Sequence, residues 1–208
     1  MMIPYNLIFK FITRTCSKFS IDESHGLKHS MDVFKYSQRI MNSEIKLQPI
    51  MKDQERIIYT SALLHDMCDN KYMDEQYGLD RIREFITTSL NYDRKEIETI
   101  CKIISTMSYS KVKKNGFPNM GEYQSAYHIV READLLTAYD IDRCIVYNMN
   151  CCNEEYIQSI TDACNLYEVR MGKHIKDNLF VTSTGLSIAR ELETDANLRF
   201  KELKNIIT

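Results

Sequence analysis

Residues 57–69 read Ile57-Ile58-Tyr59-Thr60-Ser61-Ala62-Leu63-Leu64-His65-Asp66-Met67-Cys68-Asp69. Together with Ile50, the residues Ile57, Ile58, Ala62, Leu63 and Leu64 recur at helical spacing and predict a helix deep in the core. That helix then presents His65 and Asp66, with Asp69 three residues further on. Burying a carboxylate beside an imidazole costs several kcal/mol unless something compensates, and a bound cation compensates well. The plain alternative is a helix that has reached the surface, where the same residues are merely solvated. A His-Asp pair alone does not choose between them.

The rest of the chain repeats the helical pattern. Leu27, Met31, Phe34 and Met41 predict one face of a helix over residues 27–41. Asp93-Arg94-Lys95-Glu96 has the form of a capping box, followed on one side by Ile97, Ile100, Cys101, Ile104 and Met107. Residues 111–121, polar and rich in turn formers, read as the clearest loop. Helical patterns resume over residues 126–139, 154–176 and 186–203, and no run alternates with period two. The stretch before Ser20 predicts a first amphipathic helix with Pro4 near its start, because Lys10, Arg14 and Lys18 break any membrane-spanning or signal-peptide pattern. The expectation is an all-α, single-domain helical bundle over residues 1–208.

Composition agrees. A hydrophobic fraction of 44% in 208 residues supports one substantial core, and the scarcity of Pro (3) and Gly (6) suits helices. Lys+Arg of 27 against Asp+Glu of 29 leaves a formal charge of −2, which gives no strong nucleic-acid or membrane signal. The 7 cysteines are odd in number and contain no CxxC pair, so reduced thiols and a cytoplasmic location are expected. The many Met and Tyr residues read as packing.

A second polar break strengthens the case for chemistry. Ile129-Val130-Arg131-Glu132-Ala133-Asp134-Leu135-Leu136 places Asp134 after another apolar helical segment, although pairing with Arg131 one turn back also accounts for it. With His29, His65 and Asp66 it makes two imidazoles and two carboxylates. Such a mixed set suits Mn, Fe, Co, Ni or Zn more than Ca, and leaves positions for water. His25 and His29 share the spacing of a zinc-peptidase HExxH helix, but Gly26 stands where that plan needs its glutamate.

The ordered set resembles the HD-domain metal-dependent phosphohydrolase superfamily, and within it small bacterial-type HD hydrolases that act on nucleotides. The residues carrying the likeness are His25-Gly26-Leu27-Lys28-His29-Ser30-Met31-Asp32-Val33, then Ala62-Leu63-Leu64-His65-Asp66-Met67-Cys68-Asp69-Asn70-Lys71, then Glu132-Ala133-Asp134-Leu135-Leu136. Ile103-Ile104-Ser105-Thr106-Met107-Ser108-Tyr109 resembles a further segment between the last two. The likeness runs over about residues 24–140, with C-terminal helices completing the domain.

The resemblance implies one divalent metal ion (Mn, Mg, Co, Ni, Fe or Zn) held by His29, His65, Asp66 and Asp134, with His29 rather than His25 as the first ligand. It implies a catalytic role for Asp66 and Asp69, Asp69 orienting or deprotonating water or protonating the leaving group. His25 and Lys71 become candidate substrate contacts, one turn before His29 and as a point charge on phosphate respectively. The implied substrate is a small phosphate ester or anhydride, a nucleotide by preference; the oligomeric state stays open, a homodimer included. Rival readings are a nucleotide phosphodiesterase and a silent scaffold that binds nucleotide or a partner. Many relatives carry Arg where this chain has Asp32, and Asp-Arg-Leu-Asp-Ala where it has Asp134-Leu135-Leu136-Thr137-Ala138. These departures touch substrate recognition and leave the ligands intact. His128, His174, Arg131, Arg143, Lys111, Lys113 and Lys114 read as packing or surface residues that serve a site only in second place.

Overall fold

Polar residues start several helices by supplying the acceptors their first N–H groups lack. Asp93 Oδ1 accepts from Glu96 N at 2.8 Å while Glu96 Oε2 accepts from Asp93 N at 3.0 Å, the reciprocal capping box expected there. Asp74 Oδ1 accepts from Tyr77 N at 2.8 Å in the same way. The computed structural model describes residues 3–207, so Met1, Met2 and Thr208 of the expected domain lie outside the described residues. Its helices are α1 (Tyr5–Phe19), α2 (Leu27–Leu47), α3 (Glu55–Leu64), α4 (Glu75–Ser89), α5 (Arg94–Thr106), α6 (Tyr109–Asn115), α7 (Gln124–Thr137), α8 (Ile141–Cys151), α9 (Tyr156–Val169) and α10 (Ser183–Ile207). Short 3₁₀ turns occupy Pro49–Gln54, Gly121–Tyr123 and Met171–Lys173. No strand occurs among the described residues, and the fold is all-α.

One contiguous apolar core draws on all ten helices. At its centre α3 is buried on every side from Ile57 to Leu64, as an all-round apolar helix must be. It packs against α2, α5 and α7, and α2 in turn packs most extensively on α7. The helices α8 and α9 pair, and α10 closes over α7 and α9. No helix among the described residues is long and apolar enough to cross a membrane.

Four expectations need correction. Ile50 is 68% exposed and lies in the 3₁₀ turn opened by Pro49, where Met51 turns inward instead. The tighter three-residue turn moves Ile50 off the α3 face. Residues 111–115 are helical rather than loop: Val112 buries its side chain, and Gly116, at φ 73°, ends α6. On α2 the deep line is His29, Ser30, Val33, Ser37, Ile40, Met41 and Glu44, whereas Leu27 and Phe34 are only partly buried. The predicted helix over residues 154–176 stops at Val169, after which the chain turns to bury Met171. Besides α6, two helices had no counterpart in the periodicity reading, α4 and α8, although each has an aspartate cap and apolar residues at helical spacing.

Candidate metal centre

Three packed helices bring the polar breaks together. His29 lies in the first turn of α2, His65 and Asp66 follow directly on the end of α3, and Asp134 lies in the last turn of α7. Their donor atoms converge. His29 Nε2 is 3.0 Å from His65 Nε2, 3.1 Å from Asp66 Oδ2 and 3.5 Å from Asp134 Oδ1. His65 Nε2 is 3.2 Å from Asp66 Oδ1 and 3.6 Å from Asp134 Oδ1. A cation with bonds near ~2.1 Å separates neighbouring donors by about 3.0 Å in an octahedron and about 3.4 Å in a tetrahedron. These spacings therefore match a coordination shell. The tightest set is His29, His65 and Asp66, whose donor atoms all lie within 4.8 Å of one another. Asp134 joins through the two histidines.

The surroundings suit a cation as well. Both histidines are buried, and Asp66 Oδ2 is buried beside His29 Nε2 without a well-aligned hydrogen bond among the described residues. His65 Nδ1 lies 2.9 Å from Ala62 O, so its proton is donated there and Nε2 is turned toward the cluster. Burial disfavours charge on His65, but the carboxylates of Asp66 and Asp134 outweigh it and hold its pKa well above the usual value. Burial likewise opposes the charge of Asp66 and Asp134, and the two histidines overcome it, pulling both carboxyls well below the carboxylate range. A metal would take the place of the proton these groups hold between them.

The α3 helix ends at Leu64, so Asp69 sits in the turn that leads to α4 rather than one helical turn along the same face. Burial and the nearby Asp66 raise its pKa, and its Oδ1 accepts from Lys71 N at 2.8 Å. His25 precedes α2 in a turn and is not part of the helix. Lys71 Nζ is 2.9 Å from His25 Nε2, and since an ammonium only donates, Nε2 is the acceptor. The proton then lies on Nδ1, 2.7 Å from Ser24 Oγ and 3.1 Å from Tyr72 OH. Burial pulls the His25 pKa down to about 4, so the ring is neutral near pH 7. Asp22 anchors this corner: it accepts from Ser24 N at 2.8 Å, Cys151 Sγ at 2.8 Å and the Tyr72 hydroxyl.

All seven predicted residues, His25, His29, His65, Asp66, Asp69, Lys71 and Asp134, line one cavity. Its volume is about 450 Å³, enough for a small phosphorylated molecule. Lys111 reaches the wall and pairs there with Glu75, whereas Lys113 turns away to Asp177 at 2.9 Å. Arg131 is far from any ligand role: it is fully buried, 3.2 Å from Glu132 Oε1. His128 contacts Gln124 at 3.1 Å, and His174 is buried between Tyr109 and Tyr139. The sequence reading missed Arg170, which lines the cavity, and ranked Arg143 too low. Arg143 Nη1 donates to Ser24 O at 2.9 Å and lies 3.1 Å from His29 Nδ1. No local pattern marks either arginine; only the pairing of α8 with α9 turns them inward.

No family model and no curated protein sequence matches the chain. Among solved structures it is similar to a crystallised structural-genomics target from Lactobacillus plantarum, at 18% identity and a TM-score of 0.71. The match covers 99% of this chain and 98% of that one, so the two share the whole fold.

Proposed function

We propose that this protein is a metal-dependent phosphohydrolase of the HD-domain type, acting on a small phosphate ester or anhydride with a nucleotide as the preferred class. The observation that carries the reading is the convergence of His29, His65 and Asp66, with Asp134 beside them, in the wall of a cavity of ligand size. His29, His65, Asp66 and Asp134 would hold one divalent ion. When bound, that ion supplies Lewis acidity and a water of lowered pKa, toward ~7 in zinc sites.

The remaining steps belong to the chain. Asp69, with its raised pKa and its position in the cavity wall, holds or accepts a proton near pH 7 better than an ordinary aspartate. Lys71, fixed between His25 and Asp69, brings a positive charge to phosphoryl oxygens as they gain negative charge. His25 is neutral and orients Lys71. The buried histidines and the flanking apolar residues exclude bulk water, which strengthens each of these interactions.

The test is metal analysis of the purified protein, followed by a phosphate-release screen across phosphate esters and anhydrides with added Mn²⁺. The expected result is close to one equivalent of divalent metal and release of phosphate or pyrophosphate that His65→Ala abolishes. Absence of metal, with His65→Ala changing no measured property, would sink the reading. Product identity separates a monoesterase from a diesterase.

A further inference from the structure

The cations around the cavity are not equally occupied. Lys111 pairs with Glu75 and donates to Ser105 O at 2.8 Å, and Lys71 is held by His25 and Asp69. Arg143 and Arg170 have no carboxylate within ion-pair distance among the described residues. The Nε atom of each is buried without a hydrogen-bond partner. Arg170 lies over the Tyr109 ring at 4.1 Å, a contact that holds the guanidinium plane and leaves its edge open. Burial disfavours the charge of Arg170, Asp134 offsets part of that cost, and Arg143 is near enough to add to it. Two part-buried like charges with no carboxylate in ion-pair contact gain from an anion that joins them.

Two further points would strengthen the pair's hold on a phosphate once a metal is bound, and neither is needed for the fork itself. A guanidinium only donates, and an imidazole that offers Nε2 to a cation carries its proton on Nδ1. With a metal bound, Arg143 therefore loses His29 Nδ1 as an acceptor and keeps Ser24 O. Carboxylates and lysine or arginine side chains line the cavity in equal number, so a divalent cation leaves the wall positive by the charge of one phosphate dianion.

We propose that Arg143 and Arg170 form a phosphate-binding fork on the α8–α9 side of the cavity, beside the metal cluster, for a phosphate group of a small phosphorylated ligand. The proposal rests on the phosphohydrolase reading for what happens to that phosphate, but the fork itself grips an anion without metal. Arginine suits this task because its planar donors meet phosphate oxygens in pairs, and lysine does not reproduce them.

The test titrates the full chain with inorganic phosphate and with pyrophosphate by calorimetry, once in chelator and once loaded with Zn²⁺. Wild type, Arg143→Gln, Arg170→Gln and Arg170→Lys are compared, with Lys114→Gln as an outside control. Each glutamine variant is expected to weaken phosphate binding about tenfold or more in both states, while bound zinc stays at the wild-type level. Arg170→Lys is expected to recover only part of the affinity. A second measurement needs no variant: phenylglyoxal labelling read by mass spectrometry, in which phosphate protects Arg143 and Arg170 but not the exposed Arg190. Wild-type affinity in both glutamine variants, phosphate binding only when zinc is present, or equal labelling of all three arginines with and without phosphate overturns the fork. Loss of zinc binding with phosphate binding intact counts against the metal reading and leaves the fork standing.

Discussion

His25 and His29 are four residues apart in sequence and 6.0 Å apart ring to ring, yet their neighbours give them different work. His29 faces His65, Asp66 and Asp134, whereas His25 faces Lys71, Tyr72 and Ser24. His29→Ala is therefore expected to abolish metal binding, and His25→Ala to retain it and lower turnover at most tenfold. Metal content after dialysis, read for both variants side by side, checks this; equal loss in the two would contradict it. Asp69→Asn is expected to keep the metal and slow phosphate release by about 10²–10⁴, the range of a lost proton-transfer group. Unchanged turnover would remove Asp69 from the chemistry. Most of this cluster was legible because each ligand interrupts an apolar run, which is how burial of a polar group shows in a sequence. Arg143 and Arg170 were not, since a cation on a helix looks the same whether it faces water or a cavity.

Helix α2 shows why element faces are harder to read than element positions. Its deepest line includes the small polar residues Ser30 and Ser37, both fully buried, so the buried side does not look the more apolar one. The turn after α3 is equally hidden in the sequence: Asp69 follows Asp66 at a helix-like spacing of three, but α3 stops at Leu64. That turn is held from outside by α4. A methyl group on Gly78 would stand 2.5 Å from Cys68 Cβ and 2.6 Å from its Cα, so backbone would have to shift. Alanine favours a helix interior over glycine by about 1 kcal/mol, while overpacking costs about 1–3 kcal/mol. Gly78→Ala is expected to come out destabilising by up to about 2 kcal/mol in urea unfolding. It is also expected to lower turnover, because Asp69 and Lys71 ride on the displaced turn. A stabilised variant would mean the turn adapts freely.

Across the molecule, buried histidines tie stability to pH in opposing senses. His174 is fully buried, with Tyr109 and Tyr139 against its ring and Arg170, Arg131, Asp134 and Asp177 as the charges around it. Neither ring nitrogen has a hydrogen-bond partner among the described residues, and burial, with Arg170 adding to it, pulls its pKa from 6.5 down to about 4. Because the folded value lies below the unfolded one, the unfolded chain takes up the proton first as pH falls. The stability His174 permits is complete above about pH 6.5 and is lost progressively toward pH 4. His25 and His128, also pulled down to about 4, act in the same direction. His65 acts in reverse: with its pKa raised, its contribution is complete below its unfolded value and fades as pH rises through the folded one. Replacing one histidine separates these effects. His174→Phe keeps an aromatic ring between the tyrosines and removes the titration, so its urea midpoint should fall less than that of wild type between pH 7 and pH 4.5. The difference should approach about 2 kcal/mol, the size of a shift of this order, measured in chelator so that metal uptake does not intervene. Parallel declines in the two proteins would show that His174 is protonated as readily folded as unfolded, and that the packing around it admits a charge.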